Sequence, residues 1–334
     1  MLHSHYMKPL DFIAIGDTAI DEFIKLKDAT VNCNHNACTI SMSWGDKIPY
    51  EKSILVAGVG NAANAAVAAA RLGLSSGLVS NVGNDRYGEE ILAVFEKETI
   101  DRTYITVNDG IPTNHHYVLW YDAERTILIR HEDYNYTLPE GFIAPKWIYL
   151  SSAGEKSEAF HGELATWLAQ HPETKLAFQP GTFQMSMGAK KLAPLYKATE
   201  LVACNKEEAQ RILESTETDL GTLINAMHAL GPNIVLITDG PNGAYISKGT
   251  ERYKIPMYPD IATPVDRTGA GDATTSTVVA ALALGKSLSE ALEWGPVNSM
   301  SVVQKVGAQE GLLSRHKLEE FLAAGPDNYK ATPF

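Results

Sequence analysis

Cysteine is scarce in this chain. Its 334 residues include three, Cys33, Cys38 and Cys204, and an odd count does not suggest a disulfide framework. Cys33 and Cys38 enclose Asn34-His35-Asn36-Ala37 and could supply metal ligands, but no second Cys/His pair with zinc-like spacing accompanies them. Positive charge is the next deficit: 28 Lys and Arg against 40 Asp and Glu leave a net charge of −12 and a pI near 5.3. A nucleic-acid partner would need a basic face or stripe, so none is expected. An anionic small molecule is not excluded, because local dipoles hold an anion against an adverse global charge. Long apolar runs are missing as well. None approaches the roughly 20 residues of a membrane span. Met1-Leu2-His3-Ser4-His5 lacks the apolar stretch of a signal peptide, so the chain reads as cytoplasmic with no membrane partner.

What is present is a composition 45% hydrophobic, enough for a large core. Length suggests about two domains, or one large α/β domain with an appendage. The stretch that organises the rest is Pro264-Val265-Asp266-Arg267-Thr268-Gly269-Ala270-Gly271-Asp272, set before a helix-like run from Ala273 to Leu284. Small residues at a helix mouth leave backbone N–H groups unpaired and aimed at one point, which is an anion site. A carboxylate beside a bound phosphate would be repelled unless it handles a proton. Asp272 is therefore a candidate general base, with the amides of Gly269, Ala270 and Gly271 holding the incoming phosphoryl charge. The competing reading is a glycine turn with Asp272 as a helix cap.

In chain order, Asp11 to Ile15 is a short apolar run stopped by Gly16-Asp17, the pattern of a buried parallel strand ending where ligands bind. Asp17 and Asp21 then fall at the strand's C-terminal end, as acceptors for ligand hydroxyls or as loop caps. Ile40, Met42 and Trp44 alternate with polar residues as a half-exposed strand, and His116 to Tyr121 turns through Asp122-Ala123-Glu124 into Arg125 to Arg130 as a hairpin. Two such patches suit a small sheet projecting over a site as a lid, or an apolar face that pairs subunits. Between them, Gly58-x-Gly60-x-x-Ala63 fits the dinucleotide fingerprint, but the strand Gly77 to Asn81 ends without the acid that grips an adenosine ribose. Gly60 would alternatively let the backbone approach a ligand, with Asn64 offering a donor and an acceptor to hydroxyls. Trp147 to Leu150 and Leu176 to Phe178 read as strands with a helix from Ala159 to Ala169 between them. Asn205-Lys206-Glu207-Glu208 opens a helix to Leu213, and Thr238-Asp239-Gly240-Pro241-Asn242-Gly243 makes a tight turn over which a nucleotide could lie. Gly285-Lys286-Ser287 ends like a P-loop but follows a helix, so it is a helix end. Ser289 to Val306 reads as helical apart from Gly295-Pro296.

From Asp11 to Ala323 the order of these pieces resembles the ribokinase-like, or PfkB, family of carbohydrate and nucleoside kinases. Its closing signature matches Asp266-Arg267-Thr268-Gly269-Ala270-Gly271-Asp272-Ala273, and its early glycine motif matches Gly60 to Asn64 running on to Ala70-Arg71-Leu72-Gly73. The resemblance implies a single domain over 1–334, a three-layer α/β/α fold with a central mainly parallel sheet and a small β-sheet lid formed by 25–53 and 112–132. It implies Mg2+-dependent transfer of a phosphoryl group from ATP to a sugar or nucleoside hydroxyl. Asp272 becomes the base and Gly269, Ala270 and Gly271 the anion hole; Asp17, Gly60 and Asn64 match sugar-contact positions. Asn205 and Glu208 match the element that organises magnesium, and Thr238, Gly240 and Gly243 fall where the nucleotide is cradled. Asp266 lies at a monovalent-cation loop of many members, which makes potassium activation an expectation. Three departures stand out. Val59 replaces one of two adjacent glycines. Arg267 stands where a small residue or proline is frequent, so its charge meets nucleotide phosphates or solvent. Arg130 lies where kinases of sugar phosphates place a basic residue, or is a solvated edge charge. A homodimer through the lid is a further expectation.

Overall fold

The computed structural model describes residues 8–34, 37–121 and 124–334. Its spine is a ten-stranded sheet. Seven strands run parallel in the spatial order Ile234–Thr238, Thr199–Asn205, Lys175–Phe178, Trp147–Leu150, Phe12–Ile15, Ser76–Gly83 and Ile105–Asn108. Ala244–Lys248, Glu251–Ile255 and Thr332–Pro333 extend it antiparallel at one edge. The strands are short continuous apolar runs because both faces are covered, and their alternation divides them between two cores. Phe12 and Ala14 pack into one cluster, with the helices Asn61–Arg71, Ala270–Ala283 and Leu288–Val302; Ile13 and Ile15 pack into the other. Strand order reverses beside Phe12–Ile15, so the crevice past its C-terminal end is the topological switch point where ligands bind in such sheets.

A second sheet of four strands, Tyr50–Val59, Ala19–Leu26, His115–Tyr121 and Glu124–Leu128, stands apart from the first. Its register puts Leu55, Glu22, Tyr117 and Leu128 in one row and Ile54, Phe23, Val118 and Ile127 in the next. Neighbouring rows face opposite sides. Phe23 and Val118 are buried, whereas Leu55, Tyr117 and Leu128 are exposed, so the sheet has an inner and an outer apolar face. A two-stranded hairpin, Thr30–Asn34 with Ala37–Ser41, accompanies it.

Several expectations change. Asp21 lies within the strand Ala19–Leu26 rather than at a strand end. The chain turns directly from the first sheet into the second after Thr18, a change of sheet that no periodicity marks. Met42 and Trp44 lie beyond the strand Ala37–Ser41, and Trp44 is fully exposed. The residues Asp122 and Ala123 of the expected turn lie outside the described residues, as do Met1 to Met7, but the flanking strands pair antiparallel. Cys33 and Cys38 form a disulfide, since antiparallel pairing sets them directly opposite with Cα atoms 4.0 Å apart. Cys204 is the odd one, buried in the sheet. The helix Leu288–Val302 passes unbroken through Gly295-Pro296. Both are buried, and a Cβ at Gly295 would sit 3.0 Å from Thr274, so close packing on the helix Ala270–Ala283 offsets the lost helical hydrogen bond. No helix among the described residues is long and apolar enough to cross a membrane.

One side chain ties the early helix to the late loop. Arg71 makes two contacts to Glu98, Nε to Oε2 at 2.9 Å and Nη2 to Oε1 at 2.7 Å, and its Nη1 donates to the carbonyls of Gln309 and Leu312 at 2.7 and 2.8 Å. That hydrogen bonding holds the Glu98 carboxyl below its ordinary 4.5. Arg71→Ala should destabilise the protein by about 2–4 kcal/mol, less than the ~3–5 of a fully buried pair because its ends are partly wet. Arg71→Lys should recover little, having no planar fork. Because the folded pKa is depressed, the Glu98 contribution is complete above 4.5 and fades as pH falls through the folded value. Urea titrations of both variants between neutral pH and pH about 3.5 should show the gap to the parent protein narrowing toward the acid end, with the share owed to the two carbonyl contacts persisting; an unchanged gap would refute this account.

Candidate active site

The site assembles at the C-terminal edge of the large sheet, where four strands deliver polar residues. Asp17 follows Phe12–Ile15, Gln179 follows Lys175–Phe178, Asn205 ends Thr199–Asn205 and Thr238 ends Ile234–Thr238. Facing them is the N-terminus of the helix Ala270–Ala283, whose N-cap is Gly269 in the left-handed region with φ 77° and which has no side-chain cap. A Cβ at Gly269 would lie 2.3 Å from that of Ala308, so glycine is needed for both conformation and clearance. No side chain therefore takes up the amides of the first turn, and only that of Ala270 has a loose backbone partner, the Arg267 carbonyl at 3.5 Å, before the helical ladder starts at Ala273, with the helix dipole behind them. Asp272 sits in that first turn but does not cap it. Its Oδ2 accepts from Asn64 Nδ2 and its Oδ1 from Gln179 Nε2, each at 3.0 Å.

Each of those amides is itself fixed. Asn64 Oδ1 accepts from Gln309 Nε2 at 3.0 Å, and that nitrogen also donates to the Gly58 carbonyl at 2.7 Å. Gln179 Oε1 accepts from the Tyr149 hydroxyl. Burial raises the Asp272 pKa above its ordinary 3.8, opposed by the two amide donors and by the positive charge of Arg125. Glu208 is likewise raised, chiefly by burial and further by Asp272, while the Asn205 amide works against the shift.

Two cavities meet at this helix end. One, of about 340 Å³, is lined by Thr238, Gly240, Gly243, Arg267, Ala270 and Gly271. The other, of about 210 Å³, is lined by Asp17, Asp21, Gly60, Asn64, Glu208 and Asp272. The second also receives His116, Ile127, Ile129 and His131 from the smaller sheet and the chain just after it. Asp17 is 4% exposed; His131 Nδ1 lies 2.6 Å from its Oδ2, and the Tyr136 hydroxyl donates to its Oδ1 at 2.8 Å. Burial, then the Asp17 charge, pushes the Tyr136 hydroxyl far above its usual range, so it remains a donor. Asp21 meets His116 Nδ1 at 3.2 Å. Gly60, with φ 117°, brings the start of the helix Asn61–Arg71 against Asp17, where a Cβ would lie 2.5 Å from the Asp17 carbonyl oxygen.

The sequence candidates divide accordingly. Asp17, Asp21, Gly60, Asn64, Glu208 and Asp272 share one cavity, and Thr238, Gly240, Gly243, Arg267, Ala270 and Gly271 the other. Asn205 lines neither: it caps the helix Lys206–Ile212, its Oδ1 accepting from the Glu208 amide while Glu208 Oε2 accepts from the Asn205 amide, both at 2.8 Å. Arg130 leaves the group. Its side chain is 72% exposed and pairs with Glu132 at 2.8 Å, as an edge charge does. Asp266 is 7% exposed and already engaged, accepting from Thr268 N and Oγ1 at 2.9 and 2.6 Å and from Gly307 N at 2.9 Å. Its visible work is to brace the loop before the helix. The dinucleotide reading of Gly58 to Ala63 loses its context, because the preceding strand Tyr50–Val59 pairs antiparallel in the smaller sheet. Gln179, Gln309, His116, His131 and Tyr136 were missed. Gln179 carried a usable signal, a polar residue directly after a buried strand; the others come from loops and from a sheet whose orientation only contacts reveal.

Glu208 could hold a divalent cation: one carboxylate oxygen is fixed on a backbone amide and the residue lines the cavity of Asp272. Among the described residues no cluster of three His, Cys, Asp or Glu side chains offers a dedicated metal cage. That fits magnesium, which keeps several waters and takes its other ligands from substrate phosphates.

The comparisons agree with this architecture. The profile of the pfkB family carbohydrate kinase matches residues 39–315. A ribokinase of Haemophilus influenzae is 26% identical over 271 residues, covering 79% of this chain and 86% of its own. A 5-dehydro-2-deoxygluconokinase of Bacillus subtilis is 25% identical over 335 residues, covering 95% and 97%. The structure of Arabidopsis thaliana ribokinase complexed with ribose and ATP superposes with a TM-score of 0.79 at 20% identity, covering 94% of this chain and 99% of that one. With most of its length inside the family profile, and the family's glycine-rich helix mouth joining two cavities, this chain belongs to the pfkB family of carbohydrate kinases.

Proposed function

We propose that the protein moves the γ-phosphoryl group of ATP to a hydroxyl of a neutral, unphosphorylated sugar, with Asp272 as general base. One observation carries this reading: a single helix N-terminus presents Asp272 to one cavity and Ala270 and Gly271 to the other. The nucleotide occupies the larger cavity and the sugar the smaller. The sugar oxygen attacks the γ-phosphorus, the bond from that phosphorus to the β-phosphate bridging oxygen breaks, and the hydroxyl proton passes to Asp272. The amides of the first helical turn hold the charge on the phosphoryl oxygens. Glu208 would hold magnesium, whose chemistry is to neutralise the donor's phosphate charge. Asp17, Asp21 and Asn64 bind sugar hydroxyls. Asp266 acts as a loop brace, its oxygens being engaged by Thr268 and Gly307.

The acceptor class follows from what faces the smaller cavity. Arg130 does not line it and its side chain is 72% exposed, which weighs against a sugar phosphate. Tyr117 and Trp44 are exposed, and neither they nor Trp120 and Tyr121 line the cavity, which weighs against a stacked nucleoside base. The smaller sheet serves as the lid. Its outer row of Leu55, Tyr117 and Leu128 is the surface on which we place a homodimer. Dependence on ATP puts the protein in the cytoplasm, where the Cys33–Cys38 pair would be open to reduction.

Three measurements test these assignments. Asp272→Asn should bind ATP and sugar as the parent does while turnover falls by about 10²- to 10⁴-fold; unchanged turnover ends the assignment. Calorimetry and a coupled ADP assay, run on ribose, fructose, fructose phosphate, adenosine and cytidine, give both readings and identify the acceptor. The acid limb of kcat should lie above the ordinary carboxylate value of 3.8, since burial raises Asp272. Asn64→Ala should move that limb to higher pH, because a donor to the charged form is lost; a limb that stays put or moves down contradicts the role given to Asn64. Tyr117→Asp should convert a dimer to a monomer in light scattering, and an unaltered mass would remove the lid interface.

A further inference from the structure

Alternation in the smaller sheet sorts its residues by face. Phe23 and Val118 are buried on the inner side, so Asp21 and His116, two positions earlier on the same strands, share that side. The register sets these two opposite one another. Both line the smaller cavity, as do Ile127 and Ile129 from the neighbouring strand and the chain just after it. The outer side is separate: His115 stacks on Tyr117 with ring centroids 4.8 Å apart, and its Nε2 lies 3.3 Å from Glu22.

His116 has one ring nitrogen engaged and one without work. Its Nδ1 lies 3.2 Å from Oδ1 of Asp21. A carboxylate only accepts, so Nδ1 carries the proton of that contact, and in the neutral ring Nε2 is left as an acceptor. Nε2 is buried and has no hydrogen-bond partner. A buried polar atom in that condition is rare in native structures, and a hydroxyl proton from a ligand would satisfy it. The other imidazole of the cavity is engaged differently: His131 Nδ1 lies 2.6 Å from Asp17 Oδ2, with its ring 5.3 Å from that of His116 and edge-on to Phe183. The rest of the lining suits hydroxyl donors too. The carboxylates of Asp17, Asp21, Glu208 and Asp272 enter this cavity and, among the described residues, no lysine or arginine lines it.

We propose that His116 is a specificity-determining residue, held by Asp21, whose Nε2 accepts from one hydroxyl of the bound sugar and so selects that sugar over the analogue lacking the hydroxyl. This rests on the reading of the smaller cavity as the sugar site. His116 touches the substrate but takes no part in moving the phosphoryl group. Its selectivity comes from what a deoxy sugar leaves behind, a buried acceptor with neither water nor protein to pair with. Asp21 contributes by fixing the ring orientation and the tautomer, so that the cavity meets an acceptor rather than a donor.

The test runs the best acceptor from the panel named above, and its monodeoxy analogues one carbon at a time, on the parent, His116→Asn and His116→Gln. Steady-state kinetics and calorimetric affinity are both read. The asparagine amide reaches the place of Nδ1 and keeps the Asp21 contact, whereas the glutamine amide reaches the place of Nε2. One deoxy analogue should cost the parent about 10- to 100-fold in kcat/KM. In His116→Asn the same analogue should cost less than about threefold, with KM for the full sugar raised about tenfold and kcat and KM for ATP little changed. His116→Gln should recover part of the discrimination. A residue that merely braces Asp21 predicts the reverse order, with the asparagine variant nearer the parent. That reverse order, or a deoxy penalty that no substitution moves, overturns the inference. His116→Ala, read with the same analogues, decides the matter if the asparagine variant does not fold. A parent protein that neither binds nor phosphorylates any sugar of the panel would instead sink the reading of the cavity, and this inference with it.

Discussion

The carboxylate of Asp272, held between two side-chain amides at the open end of a helix, is the constraint from which the rest of the structure can be understood. A carboxylate is out of place where a phosphate must approach, and burial raises its pKa. The Asn64 and Gln179 donors oppose that rise and fix both oxygens in position. Those donors need supports of their own. Gln309 and Tyr149 supply them, and Gln309 is in turn held in a loop whose carbonyls are bound by Arg71. A chain of hydrogen bonds thus runs from a residue at the end of the early helix to the Asp272 carboxylate. Such a chain preorganises its end: dipoles aimed in advance need not be reorientated when charge develops beside them.

The two sheets divide the labour on physical grounds. The large sheet is covered on both faces, so its strands are apolar and rigid, and it provides fixed positions at its C-terminal edge. The smaller sheet is covered on one face only. It can therefore carry His116 and Arg125 on its inner side and exposed apolar residues on its outer side, as alternation requires. The rigid sheet fixes the residues at the helix mouth, while the separately built sheet closes over the cavity that holds Asp17 and Asp272.

Legibility from sequence followed the range of the interactions. The strands at Phe12, Trp147 and Leu176 were readable because buried parallel strands are short apolar runs bounded by turn residues. The glycine-rich helix mouth was readable from its composition, whereas only the structure separated the two readings of Asp272, which does not cap the helix and accepts from Asn64 and Gln179 instead. Asp21 was misplaced by half an element, since the passage from one sheet to the other leaves no mark in composition. Arg130 was singled out from the β patch, yet its side chain is exposed and paired with Glu132, because a strand's position in the sequence does not say which of its residues face inward. The Cys33–Cys38 bond was missed because an odd count argues against frameworks but not against one local pair brought opposite by a hairpin.

Local order alone determined which segments become strands and helices, where the glycine-rich turn before the late helix lies, and that an acid follows it, because these depend on neighbours within about a turn of helix or a strand's length. Only the tertiary structure decided which cavity each residue enters, that Gln179 and Asn64 share one carboxylate, and that Arg125 rather than Arg130 approaches Asp266. Those outcomes are set by contacts between residues that lie up to 208 positions apart along the chain, as Asn64 and Asp272 do. Distances of that kind are fixed by packing and strand order, and nothing in the spacing of residues along one segment records them.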